Sequence, residues 1–205
     1  MIRFCKKVFV LLVFAALTAV GLVLWTAPDP EYQLQSWLAL GRFSTYDAMI
    51  ADAARKHGLD PLLVKAMVWR ESAFDPSKVG TSGERGLMQV GEAAAQDWAT
   101  AEKIETFVPT DLFDAKTNLE VGTWYLKKAL ERWKAKANPV PFALAEYNAG
   151  RVRVDRWIAE TERGEQAGAE HLMRAIDFPT TRKYIEDITA RQRFYAERAT
   201  AVSAR

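Results

Sequence analysis

The sequence predicts a mainly helical protein, and three observations in its 205 residues carry that prediction. Residues 117–135 place Leu119, Gly122, Leu126, Leu130 and Trp133 three or four positions apart, which is one face of a helix. Helix start and stop signals recur along the chain: Asp60-Pro61 opens an apolar stretch, and Gly58, Asn138-Pro139 and Gly150 close others. No run of residues alternates with period two, and no internal repeat is present.

Taken in order, the elements begin with Val8 to Trp25, an apolar run interrupted only by Thr18 and Gly21. As a helix it spans about 27 Å, close to a bilayer core of about 30 Å. Arg3, Lys6 and Lys7 precede it, so the tip (1–7) stays in the cytoplasm and the rest of the chain is carried outward. An uncleaved anchor fits better than a signal peptide, because cleavage after Ala27 would put the bulky Trp25 at position −3. Cys5 lies before the run, which does not suit a lipoprotein acceptor. Residues 26–43, with Pro28, Pro30 and Gly41, read as a linker holding a short amphipathic piece around Leu34, Trp37, Leu38 and Leu40. Helices follow at Thr45–His57 and from Pro61 to Ser72, the second with Asp60 as N-cap. Residues 73–91 hold five of the glycines and prolines in a loop-rich passage. A helical pattern resumes at Glu92–Thr100, then 117–135, 140–148, 151–162, 168–176 and about Thr180–Arg198; residues 199–205 are left as a tail.

Composition narrows function. Setting aside Arg3, Lys6 and Lys7 leaves 25 basic residues against 26 acidic. The body therefore offers no electrostatic case for nucleic acid, which would need a basic face. One cysteine and two histidines, His57 and His171, make a Cys/His metal site implausible, and no motif calls for a nucleotide or other cofactor.

Glu71 is the residue with the sharpest chemical reading. On the helical wheel Val64, Met67 and Val68 lie within about 60° of it. A carboxyl emerging from an apolar face has its charged form disfavoured and its pKa raised, which suits a general acid near neutrality. Trp69 falls on the opposite side and reads as core. Four blocks follow Glu71-Ser72 in order: Gly86-Leu87-Met88-Gln89-Val90, Asp114 to Leu126, Ala145-Glu146-Tyr147-Asn148-Ala149-Gly150, and Phe178 to Tyr184.

In that order these blocks resemble the lytic transglycosylase domain of the soluble lytic murein transglycosylase type, related to goose-type lysozymes. The resemblance spans about residues 44–198. It implies a lysozyme-like α+β fold with a small β element, preceded here by one transmembrane helix, and it implies Glu71 as the catalytic acid and then base. It makes Gly86–Gln89 a cleft-wall strand, with Met88 giving an apolar contact and Gln89 an amide hydrogen bond to sugar. Tyr147 would line the cleft, Asn148 would hold loop or substrate, and Tyr184 would point its hydroxyl at the acetamido group or the acid. Ser72 fits either a substrate contact or a polar helix end. Glu146 is open between a second carboxylate near the sugar and an outward charge, and Glu84 between a base for water and a loop charge paired with Arg85.

The resulting expectation is a single-pass protein of the cytoplasmic membrane that cleaves peptidoglycan glycan strands on the outer side. A lysozyme-type hydrolase on the same fold and a wall-binding scaffold module of an envelope-spanning machine are the rivals. Protein partners are not specified by the sequence.

Overall fold

Helices account for most of the chain in the computed structural model, which describes residues 2–27, 29–38 and 41–203, without the side chains of residues 2–5, 7, 8, 10, 11, 24, 31, 202 and 203. Two units are present, Met1–Thr45 and Tyr46–Arg205.

The first unit holds α1 (Ile2–Thr26), α2 (Pro30–Leu38) and α3 (Arg42–Thr45). α1 presents Phe9, Leu12, Phe14, Leu17 and Leu22 on its outside. Among the described residues no helix is long and apolar enough to cross a membrane. The expected linker 26–43 is largely helical. Asp29 accepts from Tyr32 N at 2.8 Å at the start of α2, and the Tyr32 ring meets buried Phe43 at 5.3 Å. A cap and a ring contact thus stabilise two helices too short to stand alone. Leu40 and the Cys5 side chain lie outside the described residues.

The second unit contains α4 (Asp47–His57), α5 (Pro61–Ser72), α6 (Glu92–Ala101), α7 (Ala115–Arg132), α8 (Val140–Ala149), α9 (Arg151–Ala159), α10 (Ala169–Ala175) and α11 (Pro179–Ser203), with 3-10 turns at Pro109–Phe113 and Gly164–Gln166. α8 is its centre. Every residue from Pro141 to Glu146 is buried, and α7, α9, α10 and α11 pack around it. α5 lies along α11, while α4 bridges α5 and α7. The core they enclose is aliphatic and aromatic, including Val64, Met67, Leu119, Leu126, Phe142, Leu144, Trp157 and Ile188, all below 1 % exposed. α11 continues to Ser203, past the predicted end at Arg198.

The passage after α5 departs from expectation. It makes two isolated antiparallel bridges, Val79 with Arg85 and Arg85 with Val90, and no strand occurs among the described residues. Gly86 at φ +77° and Gln89 at φ +46° reverse the chain between Arg85 and Val90, whose backbones exchange two 3.0 Å hydrogen bonds. A reversal this tight leaves no room for a ladder to propagate. The expected cleft-wall strand is therefore a turn.

Candidate active site

α5 delivers Glu71. Asp60 accepts from Leu62 N at 2.8 Å, Pro61 occupies the first helical position, and Gln192 Nε2 donates to the other Asp60 oxygen at 2.6 Å, tying the start of α5 to α11. Val64, Met67 and Val68 are fully buried. The helix stops immediately after Ser72 because Ala73 and Phe74 both take left-handed conformations, φ +50° and +62°. Non-glycine residues seldom adopt such angles, and complete burial of the Phe74 ring offsets the strain. Three of the four non-glycine residues with positive φ among those described, Ala73, Phe74 and Gln89, thus flank Glu71.

The Glu71 side chain is only partly exposed. Tyr184 of α11 donates its hydroxyl proton to Glu71 Oε1 at 2.5 Å. Desolvation raises the Glu71 pKa from 4.5 to about 7; the Tyr184 hydrogen bond and the charges of Arg70 and Lys78 pull it back, and Glu84 pushes it up. Desolvation outweighs the single side-chain hydrogen bond that, among the described residues, reaches the carboxylate. Arg70 is itself held by Asp187 at 3.1 Å and lies 5.6 Å from the centre of the Tyr184 ring. Lys78 donates its ammonium to the Glu71 carbonyl. Burial and the Glu71 charge lift Tyr184 and Tyr147 well above the usual phenol range, so both stay neutral donors.

The turn 86–89 is positioned from behind. Asn118 of α7, fully buried, accepts from Met88 N at 2.7 Å and donates to Arg85 O and Leu112 O at 2.7 and 2.8 Å. Gly86 lies so close to this amide that a Cβ there would stand 2.3 Å from both Asn118 Nδ2 and Leu112 O. Gly122, one turn along α7, makes space for the Met88 side chain; a Cβ on it would come within 2.5 Å of Met88 Sδ. In front, the Tyr147 hydroxyl at the end of α8 donates to Met88 O at 3.0 Å, and its ring meets that of Tyr125 edge-on at 5.6 Å. Asn148, exposed beside it, accepts from Thr181 Oγ of α11 at 2.7 Å. Gly150 follows with φ +84° and ψ 151°, a region open only to glycine, in place of the predicted left-handed cap.

Glu71, Tyr147, Tyr184 and the 86–89 turn are thus brought together, with Asn148 at the edge. Four expected contacts are placed elsewhere. Ser72 is buried and its hydroxyl is directed to Leu87 O at 2.8 Å and Val68 O at 3.1 Å, joining α5 to the turn. The Met88 side chain is fully buried on Gly122, so only its backbone faces Tyr147. Glu146 is 2 % exposed and bonded to Arg132 and Trp133 of the α7 end, not to the site. Gln89 spends both amide hydrogens on Lys78 O and Gly86 O, bracing the turn. Arg85 pairs with Glu92 at 3.5 Å and not with Glu84, whose carboxylate accepts from Ser82 N. Lys78, Arg70, Asn118 and Thr181 were not singled out by sequence reasoning; the bonds of Arg70 to Asp187, Asn118 to Met88 and Thr181 to Asn148 join residues distant in the chain. No cluster of His, Cys, Asp and Glu able to hold a metal occurs among the described residues.

Comparison with known proteins points one way. The transglycosylase SLT domain matches residues 48–169. A membrane-bound lytic murein transglycosylase F of Desulfosudis oleivorans is 30% identical over 153 residues, 72% of this chain and 32% of that protein. The 70 kDa soluble lytic transglycosylase of Escherichia coli superposes with a TM-score of 0.64 at 27% identity, covering 73% of this chain and 24% of the other. An inactive mutant of the lytic transglycosylase Slt of Pseudomonas aeruginosa gives a TM-score of 0.70 at 24% identity over 84% of this chain and 27% of that one, a likeness of fold. The chain spans about a third or less of the length of these relatives. A family match running through more than half of the residues, from α4 past the Tyr147–Gly150 turn, assigns this chain to the transglycosylase SLT domain family.

Proposed function

We propose that the protein is a membrane-anchored peptidoglycan lytic transglycosylase that cleaves the β-1,4 bond between N-acetylmuramic acid and N-acetylglucosamine and leaves 1,6-anhydro ends. The observation that carries this reading is Glu71: a carboxyl with a pKa of about 7, hydrogen-bonded by a neutral tyrosine, at the open end of a buried helix. Such a group is protonated in about half of the molecules at neutral pH and works as acid and base in turn. It gives its proton to the glycosidic oxygen as the bond to the anomeric carbon breaks. The substrate's acetamido carbonyl stabilises that carbon. The Glu71 carboxylate then takes the proton of the muramoyl C6 hydroxyl while O6 closes the ring, so no water is consumed and Glu71 is restored. Tyr147 and Asn148 face the sugar beside the turn that Gln89 braces, with Tyr184 orienting Glu71. The names of the relatives, membrane-bound and soluble murein transglycosylases, agree with this substrate.

The anchor rests on the apolar run Val8 to Trp25 and on the length of α1, 25 residues; Val8, Val10, Leu11 and Leu24 of that run lie outside the described side chains. Held there, the cleft reaches the membrane-proximal face of the wall.

Mass spectrometry of muropeptides released from purified peptidoglycan tests the reading. Products one water lighter than hydrolysis products, absent with Glu71→Gln, are expected. Reducing-end products would overturn it in favour of a hydrolase with Glu84 as base for water. Binding without release would favour the scaffold reading.

A further inference from the structure

Glu146 is a buried carboxylate that the proposed chemistry does not use. Both of its oxygens are occupied from the end of α7: Arg132 Nη1 holds Oε1, and Trp133 Nε1 donates to Oε2 at 2.7 Å. Trp133 is in turn packed on Phe142 of α8 at 5.5 Å between ring centres. Glu146, Tyr147 and Asn148 are consecutive, so on the helix their side chains diverge by about 100° each. Each is fastened to a different element: Glu146 to the α7 end, Tyr147 to the carbonyl of Met88, Asn148 to Thr181 of α11. Gly150 N closes the same turn on Glu146 O at 2.8 Å. The α7 helix that ends on Glu146 also carries Asn118, which holds the other side of Met88, so α7 grips both walls of the cleft.

We propose that Glu146 is a positioning residue. Its ionic bond to Arg132 fixes the rotation of the last turn of α8, and through it the seat of Tyr147 and Asn148 in the cleft. A rotation of this turn swings the Tyr147 hydroxyl off Met88 O, since consecutive residues of one helix turn move together. The inference rests on the function proposed above for its kinetic consequence but not for its structural one.

The test uses the full-length protein with methyl-labelled methionines. Met88 reports the cleft wall, and Met49, exposed on α4, is the control. Glu146→Gln keeps an acceptor for Trp133 and removes the ionic bond to Arg132. The Met88 methyl resonance is expected to shift in Glu146→Gln in the direction seen in Tyr147→Phe, with Met49 unmoved. KM for soluble glycan fragments is expected to rise several-fold, with kcat changed less than twofold and the fall-off of kcat/KM with pH unmoved, because Glu71 is not touched. Where Glu146→Gln fails to fold, Arg132→Gln, which removes the cation at the exposed end of the pair, is read in the same two ways. A Met88 resonance that stays put in a folded variant overturns the proposal, as does an unchanged KM beside a lowered melting temperature. A wild-type protein that releases nothing from peptidoglycan, with the Met88 shift still seen in Glu146→Gln, overturns the function and leaves the positioning role standing.

Discussion

A carboxyl with a pKa of about 7 makes two demands at the scale of the single residue. Catalysis that begins with protonated Glu71 loses kcat/KM tenfold per pH unit above about 7, and Glu71→Gln removes about 10²–10⁴ in rate below that pH, a difference that narrows as pH rises. Stability moves the opposite way from that of an ion-paired carboxylate. The folded state holds the Glu71 proton to higher pH than the unfolded chain, which loses it near 4.5, so the protein loses stability as pH rises from about 4.5 to 7. The loss is on the order of 1–3 kcal/mol, because the partial exposure of Glu71 screens the rest. Glu71→Gln is therefore expected to raise the melting temperature more at pH 8 than at pH 5; equal shifts at both would mean Glu71 titrates as an ordinary surface carboxyl. Tyr184→Phe removes the hydrogen bond that favours the charged form. Its kcat/KM is expected to fall off at higher pH than in the parent, and an unmoved profile would separate Tyr184 from Glu71.

Elements hold the cleft by close approach. Gly86, where the 86–89 turn leans on α7, and Gly150, at the end of α8, fail differently. Gly86→Ala meets the Leu112 carbonyl, which is backbone and cannot swing away, and it also strains a φ of +77°. A cost of about 2–4 kcal/mol in urea unfolding is expected. At Gly150 a Cβ meets nothing within 4 Å, so Gly150→Ala isolates the cost of its backbone angles, about 1–3 kcal/mol. If the two variants cost the same, the contact with Asn118 and Leu112 contributes little. Asn118 explains why the turn needs no sheet: one buried side chain satisfies a backbone N–H and two carbonyls that a strand partner would otherwise serve.

Among the described residues, every buried apolar side chain except Phe43 lies within Tyr46–Arg205. A chain of residues 46–205 is expected to unfold in one cooperative transition within a few degrees of the full-length protein, and to release the same muropeptides from isolated peptidoglycan. The full-length protein is expected to sediment with membranes and the shorter one to stay in the supernatant; recovery of both in the same fraction would remove the anchor from the proposal. The helices were legible from the chain itself, because caps and 3.6-residue spacing are short-range signals: Asp60 caps α5 and Gly58 ends α4 as their neighbours imply. Glu71 was legible for the same reason, since its apolar face is set by residues within seven positions. The partners were not. Tyr184 lies 113 positions from Glu71, and Asn118 lies 30 from Met88. The ordered motif blocks contained Tyr184 and Asn118 without showing their bonds, and Lys78 lay in none of them. Glu146 was left open by sequence for a related reason: spacing puts it beside Tyr147 but cannot say which way its side chain is drawn, and Arg132 and Trp133 draw it away from the cleft. Sequence thus determined which helices form and which carboxyl is set in an apolar face, because those depend on neighbours along the chain. Tertiary structure alone decided which polar groups surround that carboxyl and which acid is excluded, because burial and hydrogen bonding depend on what packing brings together.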